Sequence, residues 1–275
     1  MGPIGVFDSG YGGLTVLKEI VTELPQYDYI YLGDNARAPY GNRGFDTIHT
    51  YTLQCVQRLF DMGCPLVVLA CNTASAKALR TIQQKDLPRI APDNRVLGVI
   101  RPTTEMVGSI TQSGEVGILA TNGTVSSQSY PIEIAKFFPN VKVFQQACPM
   151  WVPLIENNEH EADGADYFVK EYLDKILSQS TNIDTLVLAC THYPLLLRKI
   201  RQHVPGGVTV LGQGKLVARS LKDYLHRHPE MEQRLSKSGK QSFYTTDDPG
   251  IFDQMAEIFF GKTVTSAKIE AEKLK

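Results

Sequence analysis

The sequence predicts an α/β protein made of two pseudo-symmetric, doubly wound parallel-sheet lobes that face each other across a cleft. Three observations carry this. Short, strongly apolar runs alternate with helical patterns along most of the chain, as in strand–helix–strand folds. Several of those runs are apolar at successive positions, as strands covered on both faces require. The chain also resembles itself. LVVLACNTAS (66–75) matches TLVLACTHYP (185–194), and IGVFDSG (4–10) matches VGILATN (116–122) at a similar offset.

Taken in order, a strand over 4–7 leads into a helix over 14–24, where Leu17, Ile20, Val21 and Leu24 form a core-facing stripe. A strand over 29–32 precedes a helix over 46–62. A strand over 66–70 precedes a helix over 74–84, and a strand over 96–99 follows. The second set has strands over 116–119, 141–144, 186–189 and 208–211, with helices over 128–138, 166–177 and 194–203 between them. Helices over 215–226 and 251–260 come last. The charge-rich tail, 262–275, is expected at the surface or poorly ordered. The first lobe is expected to span 1–100 plus 212–275 and to carry Asp8 and Cys71. The second spans 101–211 and carries Cys190 and His192. Ligands of such open sheets bind beyond the strand C-termini.

Composition narrows the function. The chain has 275 residues, 43% hydrophobic and 21% charged, with a net charge of −1. That composition is globular and gives no electrostatic footprint for nucleic acid or an anionic membrane. No apolar run reaches the ~20 residues of a membrane span, and no basic segment opens a signal peptide. A cytoplasmic protein with a small-molecule substrate is expected, with neither nucleic acid nor membrane as partner. The cysteines are Cys55, Cys64, Cys71, Cys148 and Cys190. With no CxxC pair and an odd count, neither a zinc knuckle nor a disulfide framework is expected, and a reducing compartment is. Cys55, Cys64 and Cys148 read as core residues. His49, His160, His203, His226 and His228 read as surface residues.

DSGYGG (8–13) lacks the third glycine of a dinucleotide loop and the lysine of a P-loop. It is either a glycine turn capped by Asp8 or Ser9 or a loop that binds carboxylate or ammonium groups. GDNARAPYG (33–41) is a loop rich in hydrogen-bonding groups. ACNTA (70–74) and CTHYP (190–194) are the informative pair. Each places a cysteine at the mouth of a strand before a helix start, where a thiol pKa is expected to fall. A core role does not require equivalent positions in two repeats. A Cys–His dyad would leave one thiol without a task, and zinc lacks a fourth ligand. Two opposed thiols suit inversion of a stereocentre, in which one group removes a proton and another returns one to the opposite face.

In this order and spacing, DSGYGG, GDNARAPYG, ACNTA, TNGT and CTHYP resemble the glutamate racemases of the cofactor-independent aspartate/glutamate racemase family. The resemblance spans residues 4–260. It implies Cys71 and Cys190 as the acid/base pair, with Asp8 supporting the first and His192 the second. Glu156, in CPMWVPLIE, matches a third family carboxylate. Ser9, Pro39, Tyr40, Gly41, Asn72, Thr73, Thr121, Thr124 and Thr191 match substrate-binding positions, as do Asp8 and His192. The resemblance implies L- and D-glutamate as substrates, a role in peptidoglycan synthesis, no cofactor, no metal and a homodimer. The chain departs from the family at Asn35, where Thr is usual, and at Arg101 in VIRPTTE. Its motif strand begins at Ile4, so the N-terminal extension of cell-wall-precursor-activated members is not expected.

Overall fold

Two parallel sheets organise the chain in the computed structural model, which describes residues 1–271. The first contains β1 (Ile4–Asp8), β2 (Tyr29–Gly33), β3 (Leu66–Leu69), β4 (Arg95–Gly98), β9 (Gln241–Thr245) and β10 (Ser266–Lys268), in the order β10-β9-β2-β1-β3-β4. The second contains β5 (Glu115–Ala120), β6 (Lys142–Ala147), β7 (Thr185–Ala189) and β8 (Thr209–Leu211), in the order β6-β5-β7-β8. The two sheets share a plan. In each, the first strand lies between the second and the third, and the fourth follows the third. Strand order therefore reverses direction beside β1 and again beside β5, and the loops leaving the strand C-termini part there to form a crevice.

The successive-apolar reading matches the strands it described. β1, β2, β3, β5 and β7 are buried at every position. The chain leaves the first sheet after β4 and returns after β8. On its return the helix Gly214–Arg227 packs along the helix Gly13–Glu23, and the helix Ile100–Ile110 packs along Ser129–Phe137. Apolar burial of this kind contributes about 25 cal/mol per Å², and it fixes how the loops above the strands meet.

Four details differ from the sequence reading. A helix at Ile100–Ile110 was not expected, because Pro102, Thr103 and Thr104 weaken its pattern, yet Pro102 sits in the first turn, where a proline is tolerated. The expected helix over 74–84 is broken into Asn72–Lys77, Leu79–Thr81 and a π-helical turn at Ile82–Asp86. β9 and β10 lie in segments without a strongly apolar run. β9 opens on two polar residues, Gln241 and Ser242, and β10 is short. Part of the tail is therefore paired: Ser266–Lys268 extends the first sheet and Ile269 is buried, while 272–275 lie outside the described residues. Among the described residues, no helix is long and apolar enough to cross a membrane.

Candidate active site

Both informative cysteines follow central strands. After β3, the Ala70 N–H donates to Phe7 O at 2.8 Å, keeping the chain in register with β1 for one residue more. Cys71 is then extended and caps the helix Asn72–Lys77, its Sγ accepting from the Ala74 N–H at 3.4 Å. Ser9 Oγ lies 3.4 Å from the same sulfur. In the other sheet β7 ends at Ala189, Cys190 follows, and a 3-10 turn at Tyr193–Leu196 replaces the expected α-helical start. Cys190 Sγ lies 3.9 Å from His192 Nδ1, and His192 Nε2 lies 3.0 Å from Glu156 Oε1. The row of contacts Cys190–His192–Glu156 thus joins the loop after β7 to the helix Trp151–Glu156.

These groups surround one cavity of about 100 Å³. Ser9, Pro39, Tyr40, Gly41, Cys71, Asn72, Thr73, Thr121, Glu156, Cys190, Thr191 and His192 line it. Cys148, read as a core residue, also reaches its wall. Asp8 and Thr124 do not line it. Asp8 is almost wholly buried beneath the cavity, where its Oδ1 accepts from the Gly10 N–H at 2.9 Å and its Oδ2 from Thr191 Oγ1 at 3.2 Å. It caps no helix, because the helix Gly13–Glu23 has Gly12 at its N-cap position without a side-chain cap. Thr124 sits behind Thr121 and bonds to that hydroxyl at 3.2 Å. A larger cleft of about 660 Å³ lies elsewhere, and no cysteine or aspartate lines it.

The loops of the two sheets are stitched together around the cavity. Gly123 N–H donates to Gly41 O at 2.8 Å, Thr73 and Thr121 hydroxyls are 3.0 Å apart, and Thr15 Oγ1 donates to Thr191 O at 2.8 Å. A close approach at Gly12 permits this. A Cβ there would lie 2.3 Å from both His192 Nδ1 and Thr191 Oγ1, far inside contact distance. The roof loop rests on Asp34, which is fully buried and absent from the sequence-based site. It accepts from Tyr40 Oη at 2.5 Å, Arg37 Nε at 2.7 Å and Thr246 Oγ1 at 3.0 Å. Two of those partners lie within six residues, but Thr246 comes from the far end of the chain, and only the fold reveals it.

Electrostatics depart from the sequence expectation at Cys71. Its thiol is pushed up to about 12, because burial and the nearby Asp8 carboxylate outweigh the hydrogen bonds from Ser9 and Ala74. A six-residue helix offers only a small dipole against complete desolvation. Burial likewise raises Asp8, against the His192 charge and the Gly10 N–H. For His192, burial acts to lower the pKa, but Cys190 and Glu156 together carry it up to about 10. His160, expected at the surface, is buried, and its Nδ1 has no hydrogen-bond partner among the described residues. Among the described residues no cluster of three or more His, Cys, Asp or Glu has the arrangement of a metal site.

The family model for Asp/Glu/Hydantoin racemase matches residues 4–221. A glutamate racemase from Persephonella marina is 38% identical over 272 residues, covering 98% of this chain and 98% of that protein. Among solved structures, a glutamate racemase isoform from Bacillus anthracis superposes with a TM-score of 0.88 at 31% identity, covering 98% of this chain and 97% of that one. The glutamate racemase of Francisella tularensis, in complex with D-glutamate, gives 0.87 at 32% identity, with 98% of each chain covered.

Proposed function

Because the chain belongs to the Asp/Glu/hydantoin racemase family, we propose that it is a glutamate racemase that interconverts L- and D-glutamate through two thiols. One observation carries this reading: Cys71 and Cys190 occupy equivalent positions in two sheets of like plan and line one cavity. Glutamate bound there has its Cα between the sulfurs. Cys71 takes the proton from D-glutamate while Cys190 returns one to the opposite face, and the roles exchange for L-glutamate. Asp8 assists Cys71 through its field, and the His192–Glu156 pair takes up or supplies the proton of Cys190. The free N–H groups of Asn72 and Thr73 at a helix start hold the substrate carboxylates, with Thr121 and Thr191 lining the site beside them. Both acid and base come from the chain, so the reaction calls on no cofactor or metal. The two sheets are the cores of two lobes, and the product D-glutamate serves peptidoglycan synthesis in the cytoplasm. We read the functional unit as a homodimer.

The test is circular dichroism of L-glutamate over time, without added cofactor, beside the same measurement on L-aspartate. Decay of the glutamate signal to zero, much faster than that of aspartate, supports the reading. Loss of the aspartate signal alone overturns the substrate assignment. One methylene is worth only about 1–3 kcal/mol of selectivity, so the comparison needs initial rates.

A further inference from the structure

Gln213 lies where the chain returns from the second sheet, immediately before the helix Gly214–Arg227, and it is buried. Its carboxamide belongs to a closed ring of hydrogen bonds. Asn72 Nδ2 donates to Gln213 Oε1 at 2.7 Å, Gln213 Nε2 donates to Tyr130 Oη at 2.7 Å, and Tyr130 O–H donates to Asn72 Oδ1 at 2.7 Å. Each member donates one bond and accepts one. The second Nε2 hydrogen of Gln213 goes to Thr103 Oγ1 at 2.9 Å, beside Val99 O at 3.3 Å, where the chain first leaves the β1 sheet. A single side chain therefore ties both crossings between the sheets to the residue that follows Cys71.

The sequence-based reading gave Asn72 to the substrate. In the structure its carbonyl oxygen and one amide hydrogen are engaged by Tyr130 and Gln213 instead. Asn72 opens the helix that Cys71 caps, so a rotation of Asn72 turns the backbone that carries Sγ. We propose that Gln213 is a positioning residue for Cys71, transmitting the relative placement of the two sheets to that thiol through the Asn72–Tyr130 ring. The proposal rests on the two-thiol reading for its kinetic consequence. Cys190 contacts His192, which Glu156 holds, rather than a hydrogen-bonding group of the ring, so the positional effect is selective for Cys71 even though Tyr130 is near enough to feel the Cys190 charge. A packing role alone carries no such selectivity.

The experiment compares wild type with Gln213→Leu, which keeps the bulk, and Tyr130→Phe, which removes a single hydroxyl. Alkylation of Cys71 and Cys190 by iodoacetamide is followed by peptide mass spectrometry across neutral and alkaline pH, beside kcat and KM. Misplacement of a reacting group by about 1 Å costs on the order of 10²-fold, and a partly relaxed ring should cost about tenfold in kcat with KM little changed. The Cys71 alkylation profile should shift in both variants while that of Cys190 stays as in wild type. Equal shifts at both thiols, or no shift at either, overturns the proposal. If Gln213→Leu does not fold, Tyr130→Phe alone decides. Alkylation needs no turnover, so a protein that fails to racemise glutamate refutes the racemase reading and still reports on the ring.

Discussion

Thr191 Oγ1 donates to Asp8 Oδ2 across 3.2 Å, although Asp8 ends β1 of one sheet and Thr191 follows β7 of the other. The carboxylate assigned to Cys71 is therefore oriented by the neighbour of Cys190. A buried acceptor of this kind is held by charge-assisted bonds that gain strength away from water. The site is complete only when the two sheets are in contact.

Replacing either thiol tests the chemistry most directly. Cys71→Ser and Cys190→Ser should each lower racemisation by about 10³-fold or more, because a hydroxyl is a far weaker acid than a thiol and cannot exchange a proton with Cα at a useful rate. Melting temperature should fall by only a few degrees in each. In D2O the wild type should place deuterium at Cα with each inversion, measured by mass spectrometry. Retention of the original hydrogen contradicts the two-thiol route.

Asp8→Asn and His192→Asn should separate the two directions. Each variant should lose turnover on the order of 10²-fold, with the larger kcat loss from D-glutamate for Asp8→Asn and from L-glutamate for His192→Asn. Equilibrium fixes the ratio of kcat/KM, so the asymmetry appears in kcat and KM taken separately. Identical behaviour in both directions for both variants refutes the division of labour.

Stability should fall as pH rises above neutrality. His192 carries a folded pKa of about 10 against its ordinary 6.5. The stability it contributes is fully present below 6.5 and is lost as pH rises through 10. Cys71, pushed from 9.0 to about 12, acts in the same direction between those values. Urea unfolding at a series of pH values should show the decline, and Glu156→Gln should partly flatten its lower part by removing one of the two partners, Cys190 and Glu156, that hold the imidazolium. A wild-type curve that is flat between pH 6.5 and 10 rejects the assignment.

Asp34→Ala should destabilise the protein by about 3–5 kcal/mol, since it leaves the Arg37 guanidinium and the Tyr40 hydroxyl without their buried acceptor. Because Pro39, Tyr40 and Gly41 roof the cavity, KM for glutamate should rise in the same variant. Chemical denaturation and steady-state kinetics on one preparation check both.

Gly12→Ala should weaken activity more than its single methyl suggests. The new Cβ has no room beside His192 and Thr191, so the loops after β1 and β7 must separate. A variant with unchanged kcat and KM shows that the loops yield without cost.

The reach of the sequence follows from what each residue depends on. β1, β2, β3, β5 and β7 were legible because buried strands are apolar at successive positions, and the two cysteines because repetition placed them in equivalent settings. β9 was hidden because Gln241 and Ser242 break the apolar run, and the helix at Ile100–Ile110 because Pro102 resembles a breaker until its place in the first turn is seen. Asp34 and Gln213 were missed for another reason. Their partners, Thr246 and Asn72, are far away in the chain, and no local pattern records such a pairing. His160 was misplaced because its neighbours are polar, while its own side chain turns inward.

The place of β9 bears on how the chain is made. β2 pairs on one side with β1, close in sequence, and on the other with β9, in the register Tyr29↔Gln241 to Gly33↔Thr245. During synthesis β2 thus waits as an open edge until the whole second sheet and the helix Gly214–Arg227 have been translated. A nascent or truncated chain ending before Gln241 presents Tyr29–Gly33, apolar and uncharged, to any neighbouring strand. Ribosome stalling or proteolysis in that interval would turn the β2 edge into a seed for aggregation, a hazard that belongs to the topology and is absent from the finished molecule.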